Sequence, residues 1–451
     1  MTNSVAAPSG KKERIFSKDF SLIMASGMGT AFMNHLFAPA LALHIDAVGG
    51  LAVHVGFAAL AYSITALITR PISGVLSDKY GRTPQLVVGA LICAIACFLY
   101  GITLMIPALI AIRGLMGIGF GMHSTNAGAV AADVSPKTRL AEAIGIYGLG
   151  GTIAQAVGPG MAFAIIGAAT IADFRRLFFV AAGMCLMSTI AAACIGYERK
   201  RKKEALAKAA ESAQAADIAP DTDDKIADLN TGSTEATKET DSESAPQADD
   251  LTLPKTFFGF EYSVFPMVAA LILIFAGSSG LFFYLPALAR EAGFDNPTFY
   301  FVLSATGIFI SRMVMGRIVD KRGADFVLVP MMAVMIAGYI IIPLSNSLLM
   351  LVLLGLPIGF ANGAVNPTFN SLIFKRCSAA RRGTASGAFF AAIDIGFGIG
   401  PVVLGLMADA FNLSFVFWGG AAFMFIGFIV YLFIASEKPI IKKFAKYSKV
   451  Q

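Results

Sequence analysis

Charge is scarce in this chain. Asp, Glu, Lys and Arg make up 14% of the sequence, against about 25% in a typical soluble domain. That is too little to cover the surface of an ordinary water-soluble globule. Cysteine is also sparse. Cys93, Cys97, Cys185, Cys194 and Cys377 all fall in or beside apolar segments, with no histidine at metal-ligand spacing, so they read as small core residues. There is no Gly-x-x-x-x-Gly-Lys-Ser/Thr run, which argues against ATP drive. Paired carboxylates, a nucleophile elbow and a metal cluster are missing too, so neither an enzymatic role nor a cofactor is expected. No stretch interleaves basic and aromatic residues for base stacking, so the net charge of +6 is not the footprint of nucleic-acid binding. The polar, basic start up to Asp19 precedes the first apolar run without a small-residue cleavage site, and that run is expected to stay in the protein.

What the chain has is apolar length. Hydrophobic residues reach 56%, and runs of about 18 or more, enough to cross the hydrocarbon of a bilayer, recur along the sequence. Helices are predicted at 20–45, 51–77, 84–105, 107–132, 140–168 and 174–197, then at 260–289, 296–319, 325–345, 348–374, 383–410 and 413–436. The division is a cytoplasmic tail (1–19), a six-helix bundle (20–197), a linker (198–256), a second six-helix bundle (257–436) and a basic cytoplasmic tail (437–451). The linker opens with Arg-Lys-Arg-Lys-Lys at 199–203 and turns to Ala, Asp, Glu, Ser and Thr. A short surface helix near Glu204–Gln214 is compatible with it, but the remainder buries too little apolar surface to offset the entropy of ordering and is expected to be a disordered tether.

Basic residues cluster at one set of loops: Lys79 and Arg82, Lys137 and Arg139, Lys321 and Arg322, then Lys375, Arg376, Arg381 and Arg382. The opposite loops are nearly free of them, which places both termini in the cytoplasm. Arg175 and Arg176 are the exception.

The two bundles repeat each other. Arg70, Gly74, Asp78, Lys79 and Gly81 recur as Arg312, Gly316, Asp320, Lys321 and Gly323, an offset of 242 residues. At the same offset Gly121 recurs as Gly363, Arg139 as Arg381, Gly145 as Gly387 and Gly158-Pro159 as Gly400-Pro401. Pro39-Ala40-Leu41-Ala42 recurs as Pro286-Ala287-Leu288-Ala289 at an offset of 247. A tandem duplication is the simplest account.

Twelve helices in two repeats, with Gly74, Leu76, Asp78, Gly81 and Arg82 between the second and third, resemble the major facilitator superfamily of secondary transporters. The resemblance covers the chain outside the tails and linker. It implies two pseudo-symmetric bundles and a cytoplasmic latch built on Arg70, Gly74, Asp78, Gly81, Arg82, Arg312, Gly316, Asp320 and Gly323. Ala324 stands where the second copy would have its closing arginine, and Thr83 replaces a further basic residue. Arg113 opens Arg-Gly-Leu-Met-Gly-Ile-Gly-Phe-Gly, similar to the family's buried-arginine motif linked to proton coupling. Gly145, Gly158 and Pro159 resemble a motif associated with antiporter-type exporters, and Gly387, Gly396, Gly400 and Pro401 form a fuller copy. These small residues let helices approach closely, while proline leaves a carbonyl unpaired where a helix bends; they are expected to mark bending points or tight static packing.

Asp394 lies midway along the eleventh helix. A carboxylate there costs about 2.5–3.5 kcal/mol on insertion scales, so it must face a cavity, pair or stay protonated. It fits a proton carrier or a fixed interhelical ion pair. Arg113 fits either coupling or snorkelling to the outer face, and His35 either titration or a plain polar contact. Asp78 and Asp320 sit at helix C-termini, where the dipole disfavours a carboxylate by about 0.3–1 kcal/mol, and Arg70 and Arg312 are their candidate partners. In this fold the first, fourth, seventh and tenth helices wall the cavity, which points to Asn34, His35, Asn126, Phe282, Tyr284, Asn362 and Asn366. His123 joins Asn126 as either cavity wall or interhelical contact. Such a lining suits a neutral or weakly cationic amphiphile. The expected function is proton-coupled export of a small organic solute by a monomer in a bacterial inner membrane. Proton-coupled uptake and a non-transporting sensor are the alternatives.

Overall fold

The computed structural model describes residues 15–167, 169–198, 256–257, 260–261, 264–294, 297–376 and 382–435. Residues 1–14, 199–255 and 436–451 lie outside it, and with them most of the expected tether and tails, as do Cys377 and Arg381. Twelve long helices make up nearly all of the rest: α1 (Lys18–Ala47), α2 (Ala52–Tyr80), α3 (Arg82–Ile102), α4 (Ile106–Asp133), α5 (Leu140–Ile166), α6 (Ile171–Ala193), α7 (Phe265–Glu291), α8 (Thr298–Arg322), α9 (Ala324–Ile341), α10 (Leu348–Arg376), α11 (Arg382–Ala410) and α12 (Ser414–Val430). A pair of two-residue strands, Thr256–Phe257 and Phe260–Glu261, precedes α7. The seventh helix therefore starts at Phe265, later than the apolar run from 260 suggests. Pro266 in its first turn fits that start, because the N–H it lacks would have no intrahelical partner there.

Eleven of these helices are long and apolar enough to cross a membrane, and α1 falls short. From Ser26 to Ile45 α1 has no exposed residue, and the same holds for α4 from Ile112 to Ala132 and α7 from Ala270 to Ala289. These are central helices surrounded by protein. Helix α3 shows the opposite design, exposing Val88, Leu91, Ile95, Phe98 and Ile102 along one face. That spacing of three and four residues presents an apolar stripe to lipid.

The duplication extends to the backbone. Helix α2 ends on Gly81 with φ +93° and α8 on Gly323 with φ +87°, and α3 and α9 begin at the next residue. A side chain at either glycine would be strained in this left-handed conformation. Arg175 and Arg176, the basic pair at the end that is otherwise poor in Lys and Arg, have local partners. Arg175 Nε donates to the Gly101 carbonyl at 3.3 Å, and Arg176 pairs with Asp173 at 3.2 Å.

The halves α1–α6 and α7–α12 meet mainly along two seams, α2 against α11 and α5 against α8, with α1 touching α7 between them. At the end away from the Lys79–Arg82 loop they are pinned together. The backbone N–H groups of Ala52 and Val53, the orphan donors at the start of α2, donate to the Asp409 carboxylate at 2.9 and 2.8 Å. Tyr284 Oη lies 3.0 Å from the Ala52 carbonyl and 2.8 Å from that of Pro401. Gly56 packs so closely on the facing backbone that a Cβ would come 2.5 Å from Val402 Cα.

Candidate functional site

A cleft of about 1060 Å³ separates the halves on the other side of this closure. It runs from the level of His35 and Phe282 toward the basic end, reaching Pro71, Ala129 and Gly387. The two walls differ. The first half contributes polar groups, among them Asn34, His35, Tyr62, Arg70, Arg113, His123 and Ser124. The second half contributes Phe282, Phe283, Phe390, Phe397 and a single acid, Asp394. Phe390, Asp394 and Phe397 follow the spacing of one helical face, so α11 turns its acid and two rings toward the cleft together.

Asp394 is bound across the α2–α11 seam. Arg70 Nε donates to its Oδ2 at 2.8 Å and Nη2 to its Oδ1 at 3.4 Å, while Nη1 donates to Ser124 Oγ at 3.1 Å. The guanidinium also lies over the Phe390 ring, 5.2 Å from its centroid. Both side chains are largely buried, at 17% and 9% exposure. In such surroundings a two-pronged arginine–carboxylate pair is strong in attraction and costly to break on one side only.

Arg113 is 2% exposed, which rules out snorkelling to the outer face. Its guanidinium stacks over Tyr62 at 4.6 Å and Phe37 at 5.3 Å, and Nη1 donates to the Met116 sulfur at 3.0 Å. Nε is buried without a partner. His35 faces Phe282 with ring centroids 5.7 Å apart, and its Nδ1 is likewise buried and unpartnered. His123 both borders the cleft and bonds across helices: Nε2 meets Ser26 Oγ at 2.9 Å and Nδ1 meets Thr30 Oγ1 at 3.2 Å.

Four residues predicted for the lining lie elsewhere. Asn126 is buried between α4 and α2, donating to Ser73 Oγ at 2.8 Å and accepting from Ser77 Oγ at 2.5 Å. Tyr284 belongs to the closed end. Asn366 donates to Asn362 along α10 at 2.7 Å, and neither borders the cleft. Their helices are the ones expected, but their side chains are engaged elsewhere. Conversely, Tyr62, Ser124, Phe390 and Phe397 line the cleft unforeseen. The one signal available for the last two was their spacing around Asp394.

The latch residues divide in an unexpected way. Asp78 and Asp320 are exposed and make no hydrogen bond or ion pair among the described residues, so Arg70 and Arg312 are not their partners. Arg70 is two turns back on the same helix and reaches across the seam instead. Arg312 does the same on the other seam, donating to Thr152 Oγ1 on α5. Arg82 pairs with Asp133 inside its own half, and its backbone N–H donates to Glu198 at 2.6 Å. Gly74 and Gly316 have open space where a Cβ would lie.

The glycine-rich helices also divide. Gly396 and Gly400 press α11 onto α7, and Gly158 presses α5 onto His35 of α1, whereas Gly145 and Gly387 have nothing nearby. Pro159 and Pro401 are interior to their helices. Among the described residues no group of three His, Cys, Asp or Glu side chains is arranged to hold a metal ion.

Comparison with known proteins agrees with this fold. The sequence profile of the Major Facilitator Superfamily matches residues 22–396 and 267–449. The chain is 22% identical over 406 residues to an uncharacterized MFS-type transporter of Methanocaldococcus jannaschii, covering 88% of this chain and 92% of the relative. It is 24% identical over 374 residues to the multi-drug resistance efflux pump PmrA of Streptococcus pneumoniae, covering 82% of each. Among solved structures, a D-xylose-proton symporter superposes with a TM-score of 0.68 at 14% identity, covering 94% of this chain and 99% of that one.

Proposed function

The chain belongs to the major facilitator superfamily, a family of transporters rather than enzymes, and we propose that it exports a small organic solute in exchange for protons by alternating access. The observation that carries this reading is the Arg70–Asp394 pair, a carboxylate inside the membrane-spanning body that is bound across the seam between the halves and borders the cleft.

With both groups charged, the pair ties α2 to α11. A proton on Asp394 neutralises the acid and leaves Arg70 with Ser124 and the Phe390 ring as its remaining partners. The tie between halves is then weakened and the seam is freed to rearrange. Closure of the cleft must be matched by opening at the other end, where Asp409 and Tyr284 hold the start of α2. Each proton crossing with a gradient of one pH unit supplies about 1.4 kcal/mol, comparable to the loss of a charge-assisted hydrogen bond.

The basic loops support a cytoplasmic placement of both termini and of the cleft mouth; we take the membrane to be a bacterial inner membrane and the monomer to be the transporting unit. The efflux relative supports the outward direction. Purified protein in liposomes, with the lumen made acidic, should accumulate a labelled aromatic solute from a panel of anionic, neutral and cationic members. Accumulation driven only by the opposite gradient would mean uptake. Gradient-independent flux would remove the proton from the mechanism.

A further inference from the structure

We infer that Arg113 is the anchor for a carboxylate, and that the solute is an aromatic or similarly apolar monoanion rather than a neutral or cationic compound. The assignment rests on the transport reading, since it takes the cleft as the solute site.

The charges of the cleft carry the argument. It is bordered by two guanidinium groups and one carboxylate. Asp394 is engaged by Arg70 through both oxygens, and Arg113 has no ion pair among the described residues. A guanidinium does not shed its proton in a protein, so Arg113 remains a cation, 2% exposed, with a sulfur as its hydrogen-bond acceptor and an Nε that has none. The Tyr62 and Phe37 faces stabilise it by cation–π attraction but accept none of its N–H groups in the plane of the fork. A buried cation left so is costly, and a planar carboxylate is the group whose geometry matches a guanidinium.

The rest of the lining describes the remainder of the solute. Phe282, Phe283, Phe397 and Phe120 line the same cleft, with Phe282 against His35 and Phe397 against Phe282 and Phe283, which favours an apolar or aromatic body of modest size. A cationic head would meet Arg113 with like charge, and the one acid available is already occupied.

A matched series tests this without any variant: naphthylacetate, naphthylacetamide and naphthylethylammonium, added to purified wild-type protein and read by thermal stabilisation and by calorimetric titration. The expected result is binding of the acid roughly tenfold to a hundredfold tighter than the amide, the span of a charge-assisted hydrogen bond, with the ammonium weakest. Equal affinity across the series, or preference for the ammonium, overturns the assignment. In Arg113→Gln the acid should lose its advantage over the amide. An acid preference that survives in Arg113→Gln also overturns it. These are binding measurements, so they stand apart from the liposome experiment: a protein that prefers the acid but does not move it would refute the transport reading alone.

Discussion

Arg70 meets Asp394 on one seam, and Arg312 meets Thr152 on the other; the two arginines are 242 residues apart in sequence, and so are their two partners. The same cross-seam contact is thus built twice by the duplication, once with a carboxylate and once with a hydroxyl. Only the α2–α11 copy can change charge. A fold with two equivalent seams has its proton-sensitive contact on one.

Replacing Asp394 with Asn keeps the shape and removes the charge. We expect loss of proton-driven accumulation in liposomes, with solute exchange at equal pH retained and its rate no longer varying with pH. Unchanged pH dependence of transport in D394N would take Asp394 out of the coupling role.

The pair should also be detectable as an energy. R70Q and D394N each leave one partner unsatisfied in a largely buried site, and each should lower thermal stability. The double variant should recover part of the loss, giving a coupling of about 1–3 kcal/mol in a double-mutant cycle. Additive losses would mean that the two side chains do not act as a unit.

Thr152→Asp would install the missing acid opposite Arg312. A second charged tie should appear on the α5–α8 seam, slowing turnover at neutral pH and restoring it under acid conditions, where the new carboxyl is protonated. Measured against wild type, the signature is a steeper pH profile of transport rate. A uniform loss at every pH would point to a packing defect.

Much of this was legible in the residues. The offset of 242 exposed the duplication, the apolar runs gave the helices to within a few residues, and Asp394 stood out because an acid at mid-bilayer demands a reason. What the residues could not supply was direction around each helix. In a soluble helix the polar face marks water, but here lipid, helix neighbours and much of the cleft are all apolar. Tyr284, Asn362 and Asn366 thus lie on the expected helices but outside the cleft lining. Arg70 was matched to Asp78 because both lie on α2 at helical spacing, whereas its partner is 324 residues away and visible only once the halves are packed.

The glycines give a graded forecast. At Gly400 a Cβ would collide with the Ala276 backbone, and at Gly56 it would come 2.5 Å from Val402 Cα, while at Gly145 and Gly387 it meets nothing within 4 Å. Alanine at 145 or 387 should leave thermal stability within about 0.5 kcal/mol of wild type. Alanine at 400 should cost about 1–3 kcal/mol through overpacking. Gly56→Ala wedges the two halves at their closed end, so there the expected readout is greater labelling of cysteines introduced beside Ala52 and Asp409. Equal labelling in both backgrounds would show that the closure tolerates the methyl group.

Helix α1 falls short of a membrane span by its own composition, yet no residue from Ser26 to Ile45 is exposed. Ser26 has its side-chain partners outside the helix, in Ser188 and His123, while Thr30 bonds both to the Gly27 carbonyl of its own helix and to His123. During synthesis those partners emerge later, on α4 and α6. Until they are made α1 lacks the outside partners of Ser26, and its stable integration is expected to follow the synthesis of α4 and α6. Truncated nascent chains carrying a glycosylation acceptor after α1 should show incomplete insertion until α6 has been translated.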